Sequence, residues 1–337
     1  MMKILTVVIP AYNVEMYLRH TLNSFVVPEV LDDFEVIVVD DGSKDATAAI
    51  AMEFQKKYPQ TFRVFSKENG GHGLGINQGI QLAEGKYFCV VDGDDWVNTP
   101  DFFKTVQFLK NRDEDVVMTN HYRVNDKTQD KKPVFSSGII YNQIYHFNDI
   151  SEICILGLSG MSIKTEILKN NKIRLDEHCY YVDMEYIAFP VPYIHSVVFL
   201  DLFVYMYRVA RQGQSVSVAG VKKHLKDHDN VVFHLIEFLN QYSKAPEAEA
   251  EKIEYIAKLI ANMISTQMTI YLNDSFFGGK IKQSLKNFDE RIKSGSNLVY
   301  EKAASHKKVR LLRITHYRLY WLLSFMAKFY VKMGWLF

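Results

Sequence analysis

Four largely apolar runs in the first half of the chain limit its possible folds more than any other sequence feature. Each run is rich in β-branched and aromatic residues; the four are Leu5–Ile9, which ends at Pro10, Phe34–Val39 and Tyr87–Val91, which end at aspartates, and the short Phe62–Phe65. Runs without a clear period of two are typical of strands that are buried on both faces of a sheet. The sequence therefore predicts a sheet that is covered on both sides.

Segments with helical spacing separate these runs. The segments are Val14–Phe25, Ala46–Tyr58 and Gly75–Ala83, with Pro100–Lys110 following the last run and Val116–Asn120 reading as a further strand. Alternating strands and helices are typical of α/β proteins with parallel strands. We therefore predict a Rossmann-like, mainly parallel sheet with flanking helices.

The chain holds 337 residues, of which 48% are hydrophobic, so it can bury one large core and a smaller one. The pattern is irregular over residues 125–220, and helical spacing dominates from residue 221. We therefore predict an α/β domain over 1–220 and a helical C-terminal region over 221–337.

Charge and cysteine content give no sign of a nucleic-acid partner or of an oxidising compartment. The 40 Lys and Arg residues balance 39 Asp and Glu residues, and Cys89, Cys154 and Cys179 are widely spaced. Three such cysteines fit neither a disulfide framework nor a zinc site. The first residues lack the apolar core of a signal peptide, and no run approaches the about 20 apolar residues of a membrane span. We expect a cytoplasmic protein.

Polar residues follow three of the predicted strands directly, as "PAYN", "DDGS" and "DGDD". Because ligands of open α/β sheets bind outside the carboxyl ends of the strands, we expect one crevice lined with carboxylates. Two or three carboxylates can hold Mg²⁺ or Mn²⁺, and the metal can then bind a diphosphate. The alternative for "DGDD" alone is a solvated acidic turn before the helix at Pro100.

The order of the motifs resembles that of a known family. The series runs "TVVIPAYN", "VIVVDDGSKDAT", "ENGGHGLGINQGIQLAEGKYFCVVDGDDW" and "YVDMEY", and it spans roughly residues 4–215. It resembles the family 2 glycosyltransferases of bacterial surface-glycan type, which have the GT-A fold, invert the anomeric carbon and use nucleotide-diphosphate sugars. The resemblance implies that 1–220 is a catalytic domain that binds a nucleotide sugar. The resemblance does not extend to 221–337, which we expect to serve acceptor, membrane or oligomer contacts.

The resemblance assigns the ends of the first two strands to the nucleotide. Pro10, Tyr12 and Asn13 are expected beside the base, with the Tyr12 ring on uracil. Asp41 is expected to accept a hydrogen bond from the base, while Asp40 supports the turn. These residues suit uracil, so a UDP-sugar is the expected donor.

"DGDD" matches the DXD motif of the family, whose carboxylates serve the ribose and a divalent metal. By resemblance, Asp92 is assigned to the ribose side and Asp94 to Mn²⁺ or Mg²⁺, with Gly93 between them at the donor. Asp95 is expected either as a second metal ligand or as a residue that shapes the turn.

The segment from Asn69 to Gly79 departs from the common family pattern "ARN", because Ile76 replaces the arginine before Asn77. A direct contact of that arginine with the diphosphate is therefore absent. Asn69, Gly71 and Asn77 remain candidates for donor binding, since the glycines allow a close backbone approach. His72 either faces the sugar or phosphates or is an ordinary loop histidine.

The catalytic base is expected in "YYVDMEY", where the family commonly has "ED". Val182 replaces the glutamate, which leaves Asp183 as the base and Glu185 as the alternative. Inversion requires a carboxylate that takes the proton of the acceptor hydroxyl.

"YMYRVARQGQSVS" resembles a family segment often written "GR-x-GQS". Ala210 replaces its first glycine, and Arg211, Gln214 and Ser215 are the candidate contacts. They form either a lid over the diphosphate or acceptor, or a purely structural turn.

The last residues, Lys302–Phe337, combine an apolar helical stripe with basic residues and contain no acidic residue. Such a helix suits a membrane interface near anionic lipids, and with it a lipid-linked or other glycan acceptor at the inner membrane face. The alternative is packing against other C-terminal helices or a second subunit, which would make a homo-oligomer. A nucleic-acid surface fits less well, because the aromatic residues lie on the apolar stripe.

Two other functions remain open at this point. A nucleotidyltransferase also uses carboxylates on an α/β sheet, but "VVIPAYN" lacks the Gly-rich basic loop that such enzymes carry near the N-terminus. A glycosyltransferase-like scaffold without activity is the second alternative, since the arginine of "ARN" and the glutamate of "ED" are both replaced.

Overall fold

A computed structural model describes residues 3–211, 224–274 and 279–332 of the chain. Contacts within the chain divide it into two compact units, Met1–Arg211 and Gln212–Phe337. The predicted boundary between residues 220 and 221 lies outside the described residues.

One mixed sheet forms the centre of the first unit. Its strands are β1 (Leu5–Ala11), β2 (Phe34–Asp40), β3 (Phe62–Ser66), β4 (Tyr87–Val90), β5 (Trp96–Val97), β6 (Val116–Asn125), β7 (Lys131–Val134), β8 (Ile144–His146), β9 (Met161–Lys164) and β10 (Ser196–Val209). The strand order is β3-β2-β1-β4-β9-β6-β10-β5, with β7 paired to β6 and β8 paired to β10.

The four strands that the sequence predicts most clearly form the parallel half of the sheet. β1 lies between β2 and β4 and pairs with both in parallel, while β3 pairs with the outer side of β2. Every residue of β1 and β2 is buried, which explains their apolar composition. The prediction of an α/β sheet with flanking helices is confirmed.

The other half of the sheet contains the antiparallel pairs that the sequence did not reveal. β9 lies between β4 and β6 and runs antiparallel to both. β5 is antiparallel to β10, whereas β10 runs parallel to β6. The sheet as a whole is therefore mixed, and its mainly parallel character belongs to the half that carries the candidate site.

Seven α-helices accompany the strands in the described part of the first unit. They are α1 (Glu15–Ser24), α2 (Thr47–Lys57), α3 (Gly71–Leu82), α4 (Thr99–Leu109), α5 (Phe147–Ile150), α6 (Thr165–Asn170) and α7 (Asp183–Ala188). Helix α3 begins four residues before the predicted start at Gly75. Its first turn is rich in glycine, which has a low helix propensity, so the sequence did not indicate that the helix begins there.

The described part of the second unit is helical, as predicted. Its helices are α8 (Leu225–Tyr242), α9 (Ala250–Asp274), α10 (Gly279–Gly295), α11 (Asn297–Ala303), α12 (Lys307–Ile314) and α13 (Tyr320–Lys332). The apolar faces of α8 and α9 include Leu235 and Ile260, which are fully inaccessible. Among the described ranges, no helix has both the length and the apolar composition to cross a membrane.

The basic C-terminal segment is not one helix, which corrects the expectation of a single helical stripe. Helices α12 and α13 are separated by a turn in which His316 and Tyr317 have positive φ angles of 47° and 61°. The Tyr317 N–H donates to the Leu312 carbonyl at 2.7 Å and so closes the end of α12. The described side chains end at Lys328, so the last part of the predicted stripe lies outside the described residues.

Candidate active site

The carboxyl ends of three strands meet at one edge of the sheet. Ala11 at the end of β1 pairs with Asp40 at the end of β2, and the Asp41 N–H donates to the Ala11 carbonyl at 2.9 Å. On the other side of β1, the Val91 N–H donates to the Val8 carbonyl at 2.9 Å. The polar residues that follow β1, β2 and β4 therefore emerge side by side, as the sequence predicted.

Asp41 fastens the loop before α3 to the end of β2. Its carboxylate accepts hydrogen bonds from the N–H groups of Gly70 (2.7 Å) and Gly71 (2.8 Å) and from the Asn69 side-chain amide (2.9 Å). Burial raises the pKa of Asp41, although the two backbone hydrogen bonds oppose this shift. Gly71 has a φ of +83°, which disfavours any other residue there. The carboxylate expected at the nucleotide base thus also shapes the loop.

The residues after β1 differ in what they offer to a ligand. Pro10 is buried, and a Cβ on Gly75 of α3 would lie only 2.9 Å from it. Asn13 is held by Ser43 and Lys44, since its N–H donates to the Ser43 hydroxyl at 3.0 Å and its amide oxygen accepts from the Lys44 N–H at 2.8 Å. Tyr12 is 49% exposed, so its ring is the accessible group of this turn.

Asp95 is an internal part of the turn after β4. It is 1% exposed, and its two carboxylate oxygens accept from the Tyr205 hydroxyl and the Arg208 N–H of β10, each at 2.7 Å. Gly93 is also buried, and a Cβ there would lie 3.0 Å from Val14. The turn is therefore built around Asp95 and packed closely at Gly93.

Asp92 and Asp94 are more accessible, and each interacts with a basic side chain. The Nε2 atom of His72 lies 2.9 Å from Asp92 Oδ1. The guanidinium of Arg211 forms an ion pair with the Asp94 carboxylate. Two basic side chains of the protein thus meet the two carboxylates that were assigned to the ribose and the metal.

The pKa values of the three aspartates in this turn are shifted, because several charged groups lie close together. Burial alone would raise the pKa of Asp92, but the hydrogen bond and charge of His72, together with Arg211, lower it. Burial and the charge of Asp92 raise the pKa of Asp94 despite Arg211. Burial, followed by the charges of Asp94 and Asp92, raises the pKa of Asp95 well above its usual value.

Asp183 belongs to the same electrostatic cluster. Burial raises its pKa, while the charge of His72 lowers it and the charge of Asp92 raises it. For His72, burial opposes protonation, but Asp92, Asp183 and Asp94 outweigh this and raise its pKa. One imidazole therefore lies within electrostatic reach of three carboxylates.

Glu185, the alternative base, is placed differently. It is completely buried, and its carboxylate accepts from the Asp176 N–H at 2.8 Å. Asp183 at the start of α7 is only partly buried. Of the two carboxylates, Asp183 is the more accessible to solvent.

Asn77 is buried and holds the loop that leads to α7. Its side-chain amide donates to the Leu175 carbonyl and accepts from the Leu175 N–H, both at 2.9 Å. Ile76, which replaces the arginine of the common pattern, is completely buried. Neither side chain is available to a ligand in this arrangement.

Two residues of β10 were not singled out from the sequence. The Tyr205 hydroxyl contacts both Asp95 and the Asp92 N–H, the latter at 3.3 Å. Arg208 donates from Nε to the Asp94 carbonyl at 2.7 Å, and its guanidinium lies 4.7 Å and 4.6 Å from the ring centres of Tyr17 and Trp96. The sequence signal that could have identified them is the presence of polar side chains inside an apolar strand.

Arg211 is the last residue that the structure describes before residue 224, and Gln214 and Ser215 lie outside the described residues.

The fold is that of known sugar-nucleotide enzymes. Staphylococcus aureus TarS 1–349, solved in complex with UDP-GlcNAc, superposes with a TM-score of 0.67 at 21% identity, covering 98% of this chain and 92% of that one. The mannosyltransferase PcManGT from Pyrobaculum calidifontis, in complex with GDP-Man and Mn²⁺, gives a TM-score of 0.51 at 14% identity, covering 98% and 88%. The chain thus has a GT-A fold with a helical C-terminal region.

Sequence comparison gives the family. Residues 6–170 match the family described as Glycosyl transferase family 2. The N-terminal unit therefore belongs to glycosyl transferase family 2, which confirms the resemblance drawn from the motifs.

Two curated relatives are bacterial surface-polymer proteins. The minor teichoic acid biosynthesis protein GgaB of Bacillus subtilis is 28% identical over 255 residues, covering 71% of this chain and 27% of GgaB. The poly(ribitol-phosphate) beta-N-acetylglucosaminyltransferase TarS of Staphylococcus aureus is 27% identical over 278 residues, covering 78% and 45%. This chain spans less than half the length of either relative.

Proposed function

We propose that the protein is an inverting glycosyltransferase that moves a sugar from a UDP-sugar to a hydroxyl group of an acceptor. The observation that carries the proposal is the cluster of Asp92, Asp94 and Asp183 around His72. Carboxylates with perturbed pKa values at the carboxyl end of a parallel sheet mark a catalytic crevice.

The donor is proposed to bind with its base at the ends of β1 and β2. The exposed ring of Tyr12 offers a stacking surface, and Pro10 and Asn13 hold that turn. Asp41 retains lone pairs beyond the bonds it already accepts, so one base N–H remains within its capacity. The related TarS structure was solved with UDP-GlcNAc, which supports a uridine donor.

We assign a divalent metal to Asp94, with Asp92 beside it on the ribose side. Both are partly exposed oxygen donors, which suit Mn²⁺ or Mg²⁺, and both already attract a basic side chain. When bound, the metal would neutralise negative charge on the leaving diphosphate. Asp95 is assigned to shaping the turn, because both of its oxygens are engaged by β10. Arg211 is assigned to the diphosphate, together with Gln214.

Asp183 is proposed as the base. It takes the proton of the acceptor hydroxyl while that oxygen forms a bond to the anomeric carbon. The bond between this carbon and the diphosphate oxygen breaks, and UDP leaves with the electron pair. Because attack and departure occur on opposite faces, the configuration inverts. Asn69, Gly71 and Asn77 contribute by fixing the loops on either side of His72.

The acceptor is proposed to be a bacterial surface glycan: a polysaccharide, a lipid-linked glycan or a glycoprotein glycan. A surface polymer is supported by GgaB, named for minor teichoic acid biosynthesis, and by TarS, named as a poly(ribitol-phosphate) beta-N-acetylglucosaminyltransferase. We place the protein in the cytoplasm at the inner membrane face, as a monomer or homo-oligomer.

The test is release of UDP from a panel of UDP-sugars with and without Mn²⁺. We expect release from at least one sugar, and a loss of about 100-fold or more in Asp94→Asn and in Asp183→Asn. The matched control is Asp32→Asn, since Asp32 is exposed and lies outside the cluster. Unchanged turnover in both site variants would show that the residues are misassigned.

The same assay separates the two alternatives. Binding of UDP without any sugar-nucleotide turnover would identify a scaffold without activity. Release of pyrophosphate from UTP and a sugar phosphate would identify a nucleotidyltransferase.

A further inference from the structure

Helix α13 has one packed face and one exposed apolar face. On the packed face, the Ser324 hydroxyl donates to the Leu272 carbonyl of α9 at 2.7 Å, and Tyr320 is completely buried. The exposed face carries Trp321, Leu322, Phe325 and Met326, with Phe325 72% exposed. These residues are spaced one and four apart, so they form one continuous surface on the helix. The hydrogen bond and the burial fix which side of α13 points outward.

Helix α12 is divided in the same way. Val309 and Leu312 are fully buried, whereas Lys307, Arg310, Leu311 and Ile314 are exposed. Positions three and four apart share a helix face, so the two basic residues lie on the same stripe as the two apolar ones. Ile314, at 69% exposed, ends this stripe. Arg318 is exposed in the turn that leads to α13.

The charge of this region has a single sign. No acidic residue occurs between Lys302 and Phe337. We call the exposed residues of α12, Arg318 and the exposed face of α13 the basic-apolar face. Large apolar side chains next to basic ones, on helices too short to span a bilayer, are the composition of interfacial helices.

We infer that the basic-apolar face docks on an anionic lipid surface. Trp321 and Phe325 enter the headgroup region, and Lys307, Arg310 and Arg318 contact the phosphates. A second copy is the less suitable occupant, because a two-fold contact would bring the same positive face against itself. Anionic lipid instead covers the apolar side chains and neutralises the charge in one step. The inference goes beyond the proposed transfer reaction and does not require it.

The experiment is sedimentation of the full chain with vesicles of phosphatidylcholine alone or mixed with phosphatidylglycerol. We expect binding to the mixed vesicles, weakened by salt, and little binding to phosphatidylcholine alone. The double variant Trp321→Ser and Phe325→Ser should weaken binding at least about tenfold, because it removes two large apolar contacts. Lys307→Gln with Arg310→Gln should weaken binding to anionic vesicles and reduce its salt dependence.

The matched control is Met16→Ser, which removes an apolar side chain that is 81% exposed on α1 of the first unit. It should bind lipid as the unchanged chain does. Unchanged lipid binding in the Trp321 and Phe325 double variant would overturn the inference. So would a dimer in light scattering that this variant converts to a monomer, since a second copy would then cover the face. UDP release measured on the same variants reports the transfer reaction separately.

Discussion

The guanidinium of Arg211 is paired with the carboxylate of Asp94, the residue that we assign to the divalent metal. In this arrangement the chain supplies its own cation to the acidic turn. A metal at Asp94 would therefore compete with Arg211, and the released arginine would be available for the diphosphate. Arginine suits that second role because it binds phosphate with two parallel hydrogen bonds.

Replacing Arg211 by Gln should strengthen metal binding in the absence of donor. Removal of a competing, partly buried charge is expected to tighten Mn²⁺ binding by about threefold to tenfold. Titration calorimetry of Mn²⁺ into the donor-free protein measures this affinity. Arg211→Lys, which keeps the charge, should change the affinity for Mn²⁺ less. In the presence of Mn²⁺, the Gln variant should bind UDP more weakly; weaker Mn²⁺ binding in that variant would contradict the competition.

Replacing Asp95 by Asn should affect stability more than metal binding. Asp95 accepts from the Tyr205 hydroxyl and the Arg208 N–H in a buried turn. An amide satisfies only part of this arrangement, so we expect a loss of about 1–3 kcal/mol in the free energy of unfolding. Denaturant unfolding and Mn²⁺ titration of the same preparation separate the two effects. Lost Mn²⁺ binding at unchanged stability would identify Asp95 as a metal ligand.

The rate of sugar transfer should rise with pH as Asp183 loses its proton. Because burial raises the pKa of Asp183, the acid limb of kcat/KM should lie above that of an ordinary aspartate. The charge of His72 lowers the Asp183 pKa, so His72→Gln should move this limb to higher pH. UDP release measured across pH tests both expectations. An acid limb that does not move in His72→Gln would argue against an electrostatic link between the two residues.

Replacing Asn77 by Ala should lower kcat more than it weakens donor binding. The Asn77 side chain holds Leu175, upstream of Asp183, through two hydrogen bonds of 2.9 Å. Loss of both should loosen this loop at a cost of about 1–3 kcal/mol. Steady-state kinetics with the active UDP-sugar measures kcat and KM separately. A variant with unchanged kcat and a large increase in donor KM would show direct donor contact instead.

The parallel half of the fold and the acidic crevice could be predicted because both depend on short stretches of sequence. Apolar runs identify β1 to β4, and the aspartates follow those runs directly. The strand β9 could not be predicted in the same way, since "MSIK" has only four residues. Its position between β4 and β6 depends on pairing across the chain.

The supports of the site were missed for a related physical reason. Tyr205 reaches Asp95 across 110 positions, and Asn77 reaches Leu175 across 98. Such contacts depend on the folded sheet and leave no local period in the sequence. The glycines before Asn77 suggested a close approach to a ligand. In the structure, Gly70 and Gly71 supply N–H groups to Asp41, and the approach of a ligand there stays a prediction.

The end of β10, together with the residues that follow it, has a consequence for protein engineering. Arg208 donates from Nε to the Asp94 carbonyl and from its backbone N–H to the Asp95 carboxylate. Arg211, three residues later, pairs with the Asp94 side chain. The turn and the strand that braces it are therefore one exchangeable part, although more than 110 positions separate them. A chimera that transplants "DGDD" from a relative should assemble the crevice only when the segment from Tyr205 to Arg211 is transplanted with it.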